Sequence, residues 1–351
     1  MSVRVLNIIC VALLAPALLA PSSQAQVSLT PQSLPIALFE RYLESLRQQA
    51  GIPGLSAAIL QDDRLVWDSG FGYQDVDGLV RATADTPYPI LDLSQTLAST
   101  VLLRRCVEMR SLELGDRVRR WHAQFAEDTT TVAQLLSHAA SDGGFRYDTG
   151  RYANLTTVIE QCASIRYPPL LSFEVLERLG MADSVPGHDL SDGSANRRLF
   201  SSTTLDRFAV VLRRVAVPYK VDSNRRPSRS DYSRPALSAS TGVVSTVRDL
   251  ARFDAGFDVV LAPGTRERAW RAGSAPMGLG WFVHEHNGER VVWHFGMARD
   301  AYSALYIKVP GKNLTLILLA NSDGLAAPYK LTDGNLPSSL FAQAFLQLFV
   351  S

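Results

Sequence analysis

Residues 88–97 read YPILDLSQTL, a strand-to-helix junction that decides how the rest of the chain is interpreted. Apolar side chains follow at the spacing of a buried helix, at Leu97 and Val101. Because positions three apart lie on one face of a helix, the side chains of Asp92 and Gln95 should touch. A nucleophile and a base need this proximity, so we expect the chemistry of the protein at this junction.

The pair Asp92 and Gln95 stands where the serine β-lactamase and penicillin-binding-protein superfamily carries Ser-x-x-Lys, and the surrounding residues resemble its class C-like branch. In that family the Ser hydroxyl attacks a carbonyl and the Lys amine helps to remove its proton, so that an acyl-enzyme forms. Asp92 offers no such hydroxyl, and Gln95 carries no basic nitrogen. The resemblance therefore implies a member in which both reactive groups are missing.

The resemblance extends from Ile52 to Ala320, with the motifs in the family's order. It is carried by four further segments: the hairpin IPGLSAAILQDDRLVWDSGFGYQDVD (52–77), LLSHAA (135–140), STGVVSTVRDLARF (240–253) and GLGW (278–281). It implies a β-lactamase/transpeptidase-like domain over residues 26–351. The α/β lobe would comprise about residues 26–95 and 236–351, and a mostly helical lobe about residues 96–235.

Tight turns between apolar runs support the same architecture. Asp62-Asp63 separates two short strands, and Asn287-Gly288 and Pro310-Gly311 separate further ones, which is typical of antiparallel neighbours. An amphipathic helix is predicted over residues 338–350. We therefore expect an α/β (α+β) fold, in which an antiparallel sheet is flanked by helices.

Two more motifs of the resemblance supply candidate site residues. Phe145–Tyr152 matches the family's Tyr-x-Asn motif, with Tyr147 kept and Thr149 in place of Asn. In active members the tyrosine exchanges protons with the nucleophile, but Tyr147 could equally pack as an aromatic wall of the cleft. His294 and Gly296 match the Lys/His-x-Gly strand, whose first side chain helps to bind a substrate carboxylate and whose edge donates an N–H to the oxyanion hole. The candidate catalytic positions are thus Asp92, Gln95 and Tyr147, and the candidate substrate-binding residues are Thr149, His294 and Gly296.

Structural roles compete with catalytic ones at these positions. An Asp at a helix start satisfies free N–H groups and favours the helix dipole, so we expect Asp92 to be mainly a helix cap, with contact to a ligand or water as the alternative. Ser94 lies about 200° around the helix from Asp92 and should point away from it. His138 is expected to be a structural part of the helical lobe. No Ser-x-x-Lys or Gly-x-Ser-x-Gly occurs elsewhere in the sequence.

The first 25 residues have the features of a secretory signal peptide: Arg4, an apolar run from Ile8 to Ala20, and a small-x-small site ending at Ala25. The apolar run is shorter than the about 20 residues that span a bilayer. We expect a periplasmic or secreted protein without a membrane anchor after cleavage, an uncleaved anchor being the alternative. Cleavage leaves 34 basic and 34 acidic residues, a balance that gives no electrostatic case for binding nucleic acid.

Cys106 and Cys162 remain after cleavage. An oxidising compartment permits a disulfide, but both residues lie in helical, partly apolar segments, where free buried cysteine is common. The sequence therefore favours free thiols and leaves pairing open. His284 and His286 share a strand face without a third ligand, so no metal site is expected, and nothing implies a cofactor.

Two functions are compatible with these features. The first is an exported, catalytically degenerate relative that retains a cleft for a small-molecule or peptide ligand. The second is an active hydrolase of esters, β-lactams or peptides, in which Asp92 activates water and Tyr147 acts as the acid. A purely structural role in the envelope is a third possibility, and the sequence does not indicate the oligomeric state.

Overall fold

The computed structural model of the chain describes residues 33–140, 142–191, 194–273 and 275–350. The expected signal peptide, residues 1–25, lies outside the described residues. Within the described ranges, no helix is both long enough and apolar enough to cross a membrane.

An antiparallel sheet of seven strands forms the centre of the fold, in the order β3-β2-β1-β11-β10-β9-β8. Its strands are β1 (Gly54–Gln61), β2 (Arg64–Asp75), β3 (Val80–Arg81), β8 (Phe282–His286), β9 (Glu289–Ala298), β10 (Tyr302–Val309) and β11 (Leu314–Ala320). Two short antiparallel pairs lie outside it, namely β4 (Tyr88–Pro89) with β7 (Val244–Ser245) and β5 (Tyr219–Val221) with β6 (Pro227–Arg229).

Helices cover both faces of the sheet and fill the middle of the chain. They are α1 (Ser33–Gln49), α2 (Ser94–Leu102), α3 (Val132–Leu136), α4 (Thr149–Ala153), α5 (Leu155–Ala163), α6 (Tyr167–Leu171), α7 (Ser202–Arg213), α8 (Val247–Ala255), α9 (Phe257–Val260), α10 (Pro263–Ala269) and α11 (Leu340–Phe349). The wider helical turns Leu103–Glu108 and Ser172–Glu177 continue α2 and α6.

Alternation along the strands builds two cores, one on each face of the sheet. In β11, Ile317 and Leu319 pack towards α2 and α8, whereas Leu316 and Leu318 pack towards α1 and α11. Every residue of α2 is buried, as expected for a central helix. The sheet thus provides a rigid floor on which the start of α2 is held.

The predicted fold class is confirmed by this architecture. The hairpin around Asp62-Asp63 and the strands on either side of Pro310-Gly311 form as expected, and the final helix runs from Leu340 to Phe349. The boundaries between the two lobes, near residues 95 and 235, stay a prediction.

The expectation of free thiols is wrong, because Cys106 and Cys162 form a disulfide. Cys106 lies in the wide turn that continues α2, and Cys162 lies near the end of α5. Packing of these two helices brings the Cα atoms to 5.9 Å, which is within the range that a disulfide bridges. The apolar surroundings that suggested free cysteines are the helix interface that brings the two residues together.

Candidate functional site

The chain turns sharply between β4 and α2. Leu91 adopts a left-handed backbone conformation, with φ of +55°, which is rare for a bulky side chain. The turn is anchored on both sides, because β4 pairs with β7 and the N–H of Ile90 donates to the carbonyl of Val243 at 2.9 Å. Such strain persists only where the surroundings enforce it, and it frequently marks a functional site.

Gly296 on β9 lies directly against this turn. A Cβ atom at position 296 would come within 2.2 Å of the carbonyl oxygen of Ile90 and 3.0 Å of the Cβ of Leu91. Position 296 therefore has room only for glycine. Because glycine has no side chain, the backbone of Ile90 and Leu91 can approach β9 closely at this point.

Asp92 does not cap a helix, so the expected structural role is wrong. Neither the short turn Leu91–Leu93 nor α2 has a side-chain hydrogen bond at its N-terminus. The half-buried carboxylate instead accepts the N–H of Met297, the residue after Gly296. Burial raises the pKa of Asp92 to about 7, and the Met297 hydrogen bond only partly opposes this. The left-handed turn at Leu91 is what directs the carboxylate towards β9.

Gln95 is fully buried and its side chain is held at both ends. Its Oε1 lies 2.9 Å from Nε2 of His138, and its Nε2 donates to the hydroxyl of Tyr147 at 3.3 Å. Its backbone carbonyl accepts from the hydroxyl of Tyr152 at 3.2 Å. Position 95 is thus occupied by a neutral amide whose hydrogen-bonding groups are satisfied within the protein.

His138 joins the helical segments to this junction. Its backbone is left-handed, with φ of +51°, and its ring is stacked between Tyr147 and Tyr152 at centroid distances of 4.5 and 5.0 Å. Nδ1 accepts the N–H of Asp148 at 2.9 Å. Burial, and then repulsion from His294 in its protonated form and from Arg151, lower the pKa of His138 to about 3, against a hydrogen bond with the backbone of Arg146. The ring is therefore neutral and acts as a fixed structural link.

Tyr147 and Thr149 form the half-buried rim of the site. The Tyr147 ring packs against Phe282 at 5.7 Å and Phe295 at 5.3 Å. Burial, and then the negative charge of Asp92, raise the pKa of the Tyr147 hydroxyl well above its usual value. Thr149 begins α4 directly after its cap, Asp148.

His294 is fully buried on the face of β9 that also carries Gly296. Its ring lies 6.4 Å from that of Tyr147, and burial lowers its pKa to about 4. Nδ1 is within hydrogen-bond distance of both backbone groups of Phe295, while Nε2 has no partner in the described residues. In this conformation His294 is neutral and lies behind the accessible rim.

The structure thus joins Gln95 to Tyr147 by a hydrogen bond, and the charge of Asp92 acts on Tyr147, whereas Gln95 and Thr149 show no hydrogen-bonding contact with Asp92. Ser94 lies elsewhere, as expected, since it is fully buried and its Oγ accepts from the N–H of Val243 at 3.3 Å. Among the residues that the structure describes, no group of three His, Cys, Asp or Glu is arranged to hold a metal ion.

Sequence reasoning missed three contributors to the site: the direct contact of His138 with Gln95, the hydroxyl of Tyr152, and Tyr232. The motif FRYDTGRY contains Tyr152 and was the available signal. Tyr232 comes from the segment between β6 and β7, and its ring packs edge-to-face against Tyr302 at 5.6 Å. Burial, and then the charge of Asp92, raise the pKa of Tyr232 to about 12.

Comparison with known proteins gives partial sequence matches. Protein flp of Staphylococcus aureus (strain N315) is 30% identical over 107 residues, which are 29% of this chain and 21% of flp. The human mitochondrial serine beta-lactamase-like protein LACTB is 28% identical over 103 residues, 27% of this chain and 19% of LACTB. The matched segment spans about a fifth of the length of these curated relatives.

Solved structures match over most of the chain. The octameric penicillin-binding protein homologue from Pyrococcus abyssi superposes with a TM-score of 0.70 at 20% identity, covering 89% of this chain and 77% of the homologue. The D-amino acid amidase from Ochrobactrum anthropi SV3 gives 0.70 at 18% identity, covering 90% of this chain and 99% of the amidase. At these identities the likeness establishes the fold. The Beta-lactamase family model matches residues 39–336, and the chain therefore belongs to the Beta-lactamase family.

Proposed function

We propose that this protein is an exported, catalytically degenerate member of the family that binds a small-molecule or peptide ligand at the site beside Asp92, Tyr147 and Thr149. The observation that carries the proposal is the state of Gln95. A general base needs a lone pair whose pKa is suited to accepting a proton. Gln95 has none, and its amide is engaged by His138 and Tyr147 at 2.9 and 3.3 Å.

Neither of the two histidines near Gln95 is suited to replace it as a base. Burial lowers the pKa values of His138 and His294 to about 3 and about 4, so both rings are weak bases near neutral pH, and both lie in the protein interior. The ring nitrogens of both histidines face other protein groups or lie away from solvent. This supports a site that binds without forming an acyl-enzyme.

The position of Asp92 also supports loss of acyl transfer. In the family, the edge of the Lys/His-x-Gly strand is expected to offer a backbone N–H to a substrate carbonyl. Here the N–H of Met297, next to Gly296 on this strand, donates to the carboxylate of Asp92. A carbonyl oxygen in that place would have to displace a charged acceptor, which makes a stronger hydrogen bond than a neutral one.

Two features support export. The N-terminal sequence has the pattern of a signal peptide, and the disulfide between Cys106 and Cys162 is of the kind that persists in oxidising compartments. We also propose that the protein binds no nucleic acid and uses no cofactor.

Covalent labelling tests the proposal. The chain 26–351 is incubated with a fluorescent penicillin and, separately, a fluorophosphonate, and intact mass is measured. We expect no adduct, together with a reversible rise in the melting temperature in the presence of a β-lactam or a D-amino acid amide. A serine adduct would overturn the loss of acyl transfer, and the absence of any ligand-dependent shift with either compound class would overturn the binding role.

One observation favours a second candidate, an unorthodox hydrolase. The pKa of Asp92, raised to about 7, is suited to a general base near neutral pH. Tyr147 is less suited to act as the acid, because burial raises its pKa far above neutral. Turnover of nitrocefin or a nitrophenyl ester by the wild type, abolished in Asp92→Asn, would establish this candidate in place of the first.

A further inference from the structure

A backbone N–H sets the direction of the hydrogen bonds from His138 to Gln95. The N–H of Asp148 lies 2.9 Å from Nδ1 of His138, and a backbone N–H can only donate. Nδ1 is therefore the unprotonated nitrogen of the neutral ring, and the single ring proton resides on Nε2. The tautomer of His138 is set by a rigid group of the main chain.

This tautomer in turn fixes the amide of Gln95. Nε2 of His138, now a donor, lies 2.9 Å from one end of the amide, and only the oxygen can accept there. The opposite orientation would bring two donors together. The NH₂ group consequently faces Tyr147 and donates to its hydroxyl oxygen at 3.3 Å.

The hydroxyl of Tyr147 is the last group in this series of hydrogen bonds, which runs from His138 through Gln95. In the part of the chain that the structure describes, the Tyr147 hydroxyl makes one hydrogen bond, and it makes it as the acceptor from Gln95. Its own O–H remains available, at a half-buried side chain on the rim of the site.

We propose that His138 is a positioning residue that orients the Gln95 amide, so that Tyr147 presents its O–H as a hydrogen-bond donor to a neutral carbonyl oxygen of a ligand in the site. The proposal rests on the binding function proposed above. A ligand carboxylate is disfavoured at this point, since it would lie near Asp92, whose charge already acts on Tyr147. An ester, amide or lactam carbonyl satisfies the donor without adding negative charge.

The stacked arrangement supports a positioning role. His138 is 1% exposed and lies between the rings of Tyr147 and Tyr152, so it cannot reach a ligand itself. Burial is the main cause of the depressed pKa of this ring, and a hydrogen bond with the backbone of Arg146 opposes it only in part. The direction of the series therefore persists throughout the neutral pH range.

Nitrogen NMR of the chain 26–351 tests the direction without any ligand. We expect ¹⁵N shifts of His138 that report a protonated Nε2 and an unprotonated Nδ1, unchanged between pH 5 and 8. The variant Gln95→Glu replaces the donor end of the amide by a second acceptor. His138 should then become protonated at a higher pH, while Gln124→Glu, at an exposed position, should leave its titration unchanged. An Nδ1–H tautomer in the wild type, or an unmoved His138 in Gln95→Glu, would overturn the proposed direction.

Ligand binding tests the role of Tyr147, with benzylpenicillin and D-phenylalanine amide as carbonyl probes. We expect Tyr147→Phe, Gln95→Glu and His138→Phe each to weaken binding about tenfold, the loss expected for one hydrogen bond. His138→Phe retains a ring between the two tyrosines; should it fail to fold, the other two variants carry the test. Unchanged affinity in Tyr147→Phe would overturn the donor role. Failure of both probes to bind the wild type would overturn the proposed binding function instead. The NMR experiment needs no ligand, so it would still decide the direction of the hydrogen bonds.

Discussion

The α-carbon of Gly296 and the carbonyl of Ile90 are so close that no side chain fits between them. A Cβ at position 296 would lie 2.2 Å from that oxygen, and the contacting atom belongs to backbone that cannot rotate away. Gly296→Ala should therefore destabilise the protein by about 2–3 kcal/mol. Urea unfolding measures the change. Gly264→Ala is the matched control, since a Cβ there would meet nothing within 4 Å; equal losses in both variants would contradict the packing role.

Asp92 should make the folded protein less stable as the pH rises, the reverse of the usual effect of a carboxyl group. Its pKa is raised from 3.8 to about 7 in the folded protein, chiefly by burial. The fold thus prefers the protonated form, and the resulting stabilisation, present below about pH 4, is lost as the pH rises through 7. Asp92→Asn keeps an acceptor for the Met297 N–H and should become more stable relative to the parent between pH 4 and 8, by about 1–2 kcal/mol after allowance for solvent screening.

The measurement for Asp92 is urea unfolding of parent and variant across that pH range. Asp206→Asn serves as the control, because Asp206 is exposed on α7. A stability difference between Asp92→Asn and the parent that stays constant from pH 4 to 8 would show that the carboxyl does not titrate as the burial implies.

Removing the disulfide should cost roughly 4 kcal/mol, since it closes a loop with a sequence separation of 56 residues. Cys106→Ala with Cys162→Ala is compared with the parent by urea unfolding, with and without reductant. The parent should lose stability on reduction and the double variant should not respond. Reaction of the parent chain 26–351, which lacks Cys10, with a thiol reagent before reduction would contradict the pairing.

Restoring the family's reactive pair tests whether the site retains its shape. Asp92→Ser with Gln95→Lys places a hydroxyl and an amine on one helix face, beside Tyr147. We expect slow acylation of the introduced serine by a reactive β-lactam or ester, seen as an added mass, and none in the single variant Gln95→Lys. Positioning limits the rate, because a displacement of about 1 Å can cost a hundredfold. No adduct after prolonged incubation would show that the surrounding residues have changed as well.

Local patterning was sufficient to predict the sheet. Two apolar runs flank the turn Pro310-Gly311, namely Tyr302–Val309 and Leu314–Ala320. Short apolar runs bounded by turn residues are typical of buried strands, so both strands could be predicted without knowing their position in the sheet. The spacing of Asp92 and Gln95 around the start of α2 was likewise a local property. Tyr147 lies 52 residues beyond Gln95, and only the family resemblance grouped it with them.

The remaining features depend on contacts between distant segments. Whether Cys106 and Cys162 pair depends on how their two helices pack against each other. The residues around each cysteine carry no information on that packing. Asp92 was expected to be a cap because nothing in the sequence indicates that Leu91 turns left-handed and redirects the next side chain. His138 contacts Gln95 across 43 residues of chain, so its role in orienting the amide became visible only in three dimensions.

The disulfide makes a closed covalent ring of residues 106–162, and this ring carries His138, Tyr147 and Thr149. Gln95 lies on the helix that leads into the ring. Residues 142–144 are exposed and are the natural place for a protease to cut. Such a cut would open the ring without releasing a fragment, so the nicked protein would migrate as one species on a gel without reductant and as two with it. The two halves of the site would remain attached to each other after the peptide chain between them had been broken.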